Sequence, residues 1–361
     1  MPDDRPPLLP GRLGTPDMQL RDDPRADPRM IAAMTPFGMD GTPPPSPVGA
    51  DSPYEQLLEF CAMAEAGFDT VFATMLAEVP KVAGVVRSTE VIRGIDGNDI
   101  TLFIHRPAAM NDASTALPAI LHLHGGGMSI LEAAASSYTL WRDELAATGL
   151  IVVGVEFRNS AGKQGSYPFP AGLNDCSSAL QWVSDNKARL NIARVVVSGE
   201  SGGGNLSLAT TLKAKRDGKI DQIAGVYAQC PYISNAYAVK RPELPSLYEN
   251  DAYFLDCTMM GVMAKVYDPT SANTENPLAW PYHATVDDLS GLPPHVISVN
   301  ELDPLRDEGL SYFRKLLGAG VSARSRTVNG TCHAGDCLFR MDMPEVFLAT
   351  IHDIHGFAHS L

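Results

Sequence analysis

The chain is 361 residues long and carries 28 Lys and Arg against 42 Asp and Glu, a formal charge of −14. That balance repels phosphate backbones and anionic lipid, which excludes broad nucleic-acid binding and docking on acidic membranes. With 45% hydrophobic and 19% charged residues the composition is globular, neither disordered nor fibrous. At about 150 residues per domain the length allows two domains, although large α/β units often run as one. No apolar run approaches the roughly 18 residues of a spanning helix. The opening MPDDRPPLLPGRLG lacks the basic start and apolar core of a signal peptide, so the expectation is a cytoplasmic protein. The six scattered cysteines (Cys61, Cys176, Cys230, Cys257, Cys332, Cys337) are expected to be free thiols.

Residues 1–50 read as a Pro-rich extension, flexible over 1–25 and an extended connection over 35–51. Residues 51–82 read as a helical region that covers the fold. Ser52 is the expected cap, Pro53 suits the first turn, and Glu55 completes a capping box. The apolar residues that follow, Leu57 to Phe72, spread over more than one face, as a lid helix requires. Residues 83–106 predict a hairpin turning near Asp96-Gly97. From 118 onward apolar strands alternate with helices: PAILHLH, a helix over 134–148, LIVVGVEF, a helix over 171–189, ARVVVSG, a helix over 203–216, and IAGVYAQC. Such continuous apolar strands predict a mostly parallel sheet covered on both faces. The rhythm breaks over 231–290, a stretch rich in aromatics that reads as an insertion above the sheet. It resumes with HVISVNE, a helix over 307–319, SARSRTV and a helix over 344–358. The core is therefore 83–230 with 291–361.

Gly199-Glu200-Ser201-Gly202-Gly203 fits G-x-S-x-G, between a predicted strand and a predicted helix, the context in which that pattern presents a nucleophilic serine. No Lys follows the glycines, which disfavours a phosphate loop. His124-Gly125-Gly126-Gly127 ends another strand, where bare backbone can offer N–H donors to a developing oxyanion; the amide after Ser201, that of Gly202, is a further donor. His124 reads as a residue that orients the turn. A serine needs a base, and the base an orienter. His333 follows the last strand and Asp303 the strand before it, giving the order Ser, Asp, His at the carboxyl ends of parallel strands. Glu301 and Asp307 compete with Asp303. His295 reads as a core residue. His352, His355 and His359 share one face of a solvated terminal helix, and Cys332, His333 and Cys337 make a poor zinc site for want of a fourth ligand. No metal site is expected.

These motifs in order, with SYPFPAGLND at 166–175, resemble the hormone-sensitive-lipase family of microbial carboxylesterases, and VVGVEFRNS with PFPAG is similar to its brefeldin A esterase branch. The resemblance spans about residues 85–350. It implies an α/β-hydrolase fold with a helical cap built from the N-terminal region and 231–290. It implies Ser201 as nucleophile, His333 as base and acid, Asp303 as orienter, and the amides of Gly126, Gly127 and Gly202 as oxyanion donors, with no metal or organic cofactor. The expected partner is a soluble short- to medium-chain ester; a homodimer is left open. Tyr253, Phe254 and Leu255 are candidate pocket residues, with core packing the alternative for each. An amidase or lactone hydrolase would use the same triad, and a non-catalytic small-molecule receptor is a further alternative. The family's common elbow is Asp-Ser-Ala-Gly; here Glu200 and Gly202 replace Asp and Ala, which implies a looser turn. After His333 the loop reads Ala-Gly-Asp where many members have Gly-Phe.

Overall fold

Apolar strands with no polar alternation must be buried on both faces, and the computed structural model, which describes residues 9–109 and 115–361, shows how. Eight strands, β1 (Val85–Arg93), β2 (Asp99–Pro107), β3 (Leu117–Leu123), β4 (Ile151–Val155), β5 (Ile192–Glu200), β6 (Gly225–Gln229), β7 (His295–Asn300) and β8 (Ala323–Val328), form one sheet in the order β1-β2-β4-β3-β5-β6-β7-β8. β1 and β2 are the antiparallel hairpin, β2 runs antiparallel to β4, and every later pairing is parallel.

The side-chain period of two sends alternate residues into two cores. Leu121, Val153, Val197, Ala228 and Ile297 enter one, under the helices Ala171–Asp185, Gly202–Arg216 and Arg306–Gly318. Ile120, Val152, Val196, Tyr227 and Val296 enter the other, where Trp141 and Leu145 of the helix Ser136–Ala147 meet Phe347, Ile351 and Ile354 of the helix Pro344–Ser360. Each fully buried aliphatic side chain contributes roughly 1.5–3 kcal/mol relative to exposure. The central strands therefore form a rigid platform, with its loops at the carboxyl ends.

The helix Tyr54–Met75 departs from the expected start. Its cap position is Pro53, and the Ser52 hydroxyl instead accepts from the Gly49 amide at 3.1 Å, so the capping box is not made. One stripe of it, Leu57, Cys61 and Glu65, is buried, and Phe68 and Phe72 continue that stripe. Glu65 is an acid on an otherwise apolar seam. Its two oxygens accept from the amides of Leu131 (2.8 Å) and Lys163 (2.7 Å), fastening the helix to the core loops. The helix also packs on Cys257–Tyr267 of the insertion.

The aromatics of 231–290 largely fill the insertion itself. Tyr232 and Tyr267 pack edge-on to Trp280 at 5.7 and 5.3 Å.

Flexibility expected over residues 1–25 does not describe 9–25; residues 1–8 lie outside the described residues. Leu20 is fully buried with Met30, Met34, Cys332 and Phe339. Arg25 pairs with Asp23 and Glu249, and the Asp27 amide donates to the Gly330 carbonyl at 2.9 Å. Proline content alone did not reveal these tertiary partners. Among the described residues no helix is long and apolar enough to cross a membrane.

Candidate active site

Ser201 occupies the turn between β5 and the helix Gly202–Arg216, at φ 56° and ψ −117°. A non-glycine residue holds such a conformation only where its surroundings enforce it. Here they do: the Ser201 amide donates to the Gln229 carbonyl and its own carbonyl accepts from the Tyr232 amide, both at 3.0 Å. The turn also needs bare backbone. A Cβ on Gly203 would lie 1.8 Å from the Leu123 carbonyl oxygen, so the helix can begin against β3 only with glycine there. The N-terminal end of that helix points its free N–H groups and positive dipole end toward the serine.

His333 follows β8 and Asp303 follows β7. The His333 Nδ1 is 2.7 Å from Asp303 Oδ2, and both residues are buried. The carboxylate can only accept, so Nδ1 carries a proton, and in the neutral ring Nε2 is the nitrogen that bears the lone pair. Asp303 Oδ1 is occupied by the Leu305 amide at 2.9 Å, which fixes the carboxylate plane. The competitors are committed elsewhere: Glu301 accepts from the Gly330 amide and Asp307 from the Ser246 amide. Burial pulls the His333 pKa down, but the charge of Asp303, the nearby Cys230 and the Asp303 hydrogen bond outweigh it and hold it well above the usual histidine value.

One cavity gathers Ser201, His333, Gly126 and Gly127. Its walls are apolar: Phe68 and Phe72 from the first long helix, Phe254 and Leu255 from the insertion, and Met259, Met260 and Met263 from the helix that follows. Phe254 and Leu255 thus face the cavity. Tyr253 does not: it is fully buried beneath the N-terminal segment, its hydroxyl 3.1 Å from Asp23. Gly202 stands against the glycine turn. A Cβ there would lie 2.5 Å from the Met128 nitrogen and 2.7 Å from the Gly127 nitrogen, so the expected looseness is absent; backbone fills the space that alanine would take.

His124 is fully buried and stacks on Phe157 at 4.1 Å. Burial pushes its pKa down to about 3, so the ring is neutral; its Nδ1–H donates to the Gly125 carbonyl at 2.7 Å. His295 is buried with Nδ1 against the Pro293 carbonyl. Cys332 packs against Met30 and Met34. Cys230, Asp303 and His333 are the one group of potential metal ligands found among the described residues, their ligand atoms within 4.8 Å of one another. The fit to a metal is poor. Two ligands at about 2.0–2.1 Å from a tetrahedral ion stand roughly 3.3 Å apart, whereas the imidazole and carboxylate meet at hydrogen-bond distance.

Some of the site was not foreseen from the sequence. The methionine wall sits on a helix that the aromatic-rich insertion concealed. The role of Glu200 was hidden too: its Oε1 accepts from the Gly125 amide at 2.9 Å and its Oε2 lies 3.1 Å from His122 Nε2. A charged residue inside the elbow pattern was the available signal.

A mostly parallel sheet bearing a strained serine at one strand end and an imidazole–carboxylate pair at two others defines a class. Residues 120–335 match the family model described as alpha/beta hydrolase fold, and the chain belongs to that family. Among solved structures it is similar to brefeldin A esterase, described as a bacterial homologue of human hormone-sensitive lipase. The two share 44% identity over 97% of this chain and 98% of that one, at a TM-score of 0.94. It is also similar to esterase Est22, at 37% identity over 95% and 99% of the two chains, TM-score 0.82. Carboxylesterase NlhH of Mycobacterium tuberculosis is 34% identical over 251 residues, 67% of this chain and 73% of that protein. The branch that the motifs resemble and the structural likeness therefore agree.

Proposed function

We propose that the protein is a serine carboxylesterase acting on soluble short- to medium-chain esters through an acyl-enzyme. The observation that carries this reading is the His333–Asp303 pair at 2.7 Å, opening onto the cavity that also holds the strained Ser201 and the glycine turn. Relatives named as esterases support the reaction class.

In the proposed cycle His333 Nε2 takes the Ser201 proton as the hydroxyl oxygen bonds to the ester carbonyl carbon. The carbonyl oxygen becomes an anion held by the amides of Gly126, Gly127 and Gly202. Collapse breaks the ester C–O bond, and His333 passes its proton to the departing alkoxide. Water repeats the sequence on the acyl-enzyme and releases the acid. Asp303, bonded to Nδ1, keeps the imidazole in the required tautomer. The Tyr54–Met75 helix and residues 231–290 serve as a cap whose phenylalanines and methionines bind the apolar part of the ester. Adaptable methionine side chains suit varied acyl or alcohol groups.

A p-nitrophenyl ester series from acetyl to palmitoyl tests this. The expected maximum in kcat/KM lies below dodecanoyl; a maximum at dodecanoyl or longer contradicts the substrate assignment.

A further inference from the structure

The amides proposed to hold the oxyanion sit on consecutive glycines, Gly126 at φ 104° and Gly127 at φ 62°. Glycine leaves this conformation easily, so the turn needs an external hold to keep its N–H groups aimed. Two buried side chains contact Gly125, immediately before it, and a third braces one of them. Glu200 Oε1 receives the Gly125 N–H at 2.9 Å, and Glu200 Oε2 is braced by His122 Nε2 at 3.1 Å. On the other side His124 Nδ1–H donates to the Gly125 carbonyl at 2.7 Å, with its ring stacked on Phe157. His122 Nδ1 is buried without a partner, and because a carboxylate only accepts, it is the Nε2–H that donates to Glu200.

Glu200 differs from its two neighbours in one respect. Its backbone is the residue before Ser201, fixed in β5 opposite Gln229. Its side chain therefore joins the nucleophile's strand directly to the oxyanion turn on β3, across the gap where the carbonyl would react.

We propose that Glu200 is the positioning residue for the oxyanion turn: its carboxylate, seated between the Gly125 amide and the His122 imidazole, sets the distance between Ser201 Oγ and the Gly126 and Gly127 N–H groups. The inference rests on the esterase reading above. Glu200 lines the same cavity but bonds no reacting atom in this scheme, and its effect passes through Gly125.

The test compares Glu200→Met, which fills similar space without an acceptor, with Glu200→Gln, which keeps one. Hydrolysis of p-nitrophenyl acetate is measured per Ser201 titrated with a fluorophosphonate, so misfolded protein is not counted. Displacement of the turn by up to about 1 Å predicts a kcat roughly 10²-fold lower for Glu200→Met with KM within about threefold, and recovery to within about tenfold of wild type for Glu200→Gln. Affinity for a trifluoromethyl ketone, which forms a tetrahedral adduct, should fall in proportion to kcat/KM across the pair. Equal losses in both variants, or a Glu200→Met kcat per titrated site close to wild type, would overturn the proposal. If Glu200→Met yields no titratable protein, His122→Phe removes the brace alone and should lower kcat about tenfold; an unchanged kcat there overturns it equally. Wild type without ester turnover would sink the esterase reading and this one together. An active wild type, a silent Ser201→Ala and an unaffected Glu200→Met would sink this one only.

Discussion

Substituting Gly202 by alanine adds one methyl group at the proposed oxyanion site, and the structure fixes what it meets. The new Cβ would stand 2.5 Å from the Met128 nitrogen and 2.7 Å from the Gly127 nitrogen. Ordinary carbon contacts begin near about 3.5 Å, so the turn or the elbow must retreat by roughly 0.8–1 Å. A donor 2.7–3.1 Å from the oxyanion would then stand at about 3.5–4 Å, beyond useful hydrogen bonding. Loss of one such donor costs about 10²–10³ in kcat, or roughly 2.7–4 kcal/mol of transition-state stabilisation. The assay is steady-state hydrolysis of p-nitrophenyl acetate per titrated serine, with KM expected to change little because the interaction strengthens only as the oxygen becomes charged. Gly356→Ala is the control: it lies in the last helix, and its Cβ would meet nothing within 4 Å. That change should preserve activity and raise stability by about 0.5–1 kcal/mol. The comparison is demanding, because alanine is the residue that the family's common elbow implies here. A Gly202→Ala enzyme with a kcat within about threefold of wild type would refute the reasoning that this branch packs its turn into the space of that methyl group.

Two further predictions concern protonation. Because Asp303 holds the His333 pKa well above its usual 6.5, the imidazole stays protonated, and unable to accept from Ser201, to a higher pH than a free histidine would. The acid limb of kcat/KM is expected above pH 6.5; Asp303→Asn should lower kcat about 10⁴-fold and move that limb down, and an unmoved limb contradicts the pairing. Glu308, buried and accepting from the Ile233 amide and the Ser234 hydroxyl, has its pKa raised by burial from 4.5 to about 7. The folded state thus keeps a proton that the unfolded chain releases. This contribution to stability is full below about pH 4.5, declines as pH rises toward 7, and amounts to roughly 3 kcal/mol. Urea unfolding at pH 5 and pH 8 should show wild type losing about that much more than Glu308→Gln; parallel losses would contradict it.

What the sequence disclosed follows from the range of the interactions involved. Strands β3 to β7 were legible because a strand buried on both faces is written as an unbroken apolar run, and their alternation with helices fixed the parallel class. The placement of Ser201, Asp303 and His333 was legible because each follows a strand, so topology alone carries them to one edge. The choice of Asp303 over Glu301 and Asp307 needed the hydrogen bonds themselves. Contacts between distant loops were not legible. Ser52 had the right spacing for a capping box, yet the Gly49 amide captured its hydroxyl. Tyr253 stood among pocket candidates, yet a segment more than two hundred residues earlier covers it through Asp23. Leu20 lay in a stretch whose prolines and charges suggested mobility, and its burial depends on partners near residues 332–343.

The proposed cycle begins with the Ser201 hydroxyl made nucleophilic by His333. Labelling the intact protein with a fluorophosphonate and locating the adduct by peptide mass, alongside the kcat of Ser201→Ala, tests this most directly. The expected result is one equivalent on Ser201 and a kcat lower by about 10⁴–10⁶ in the variant. Label on another residue, or near-native ester turnover by Ser201→Ala, would contradict it.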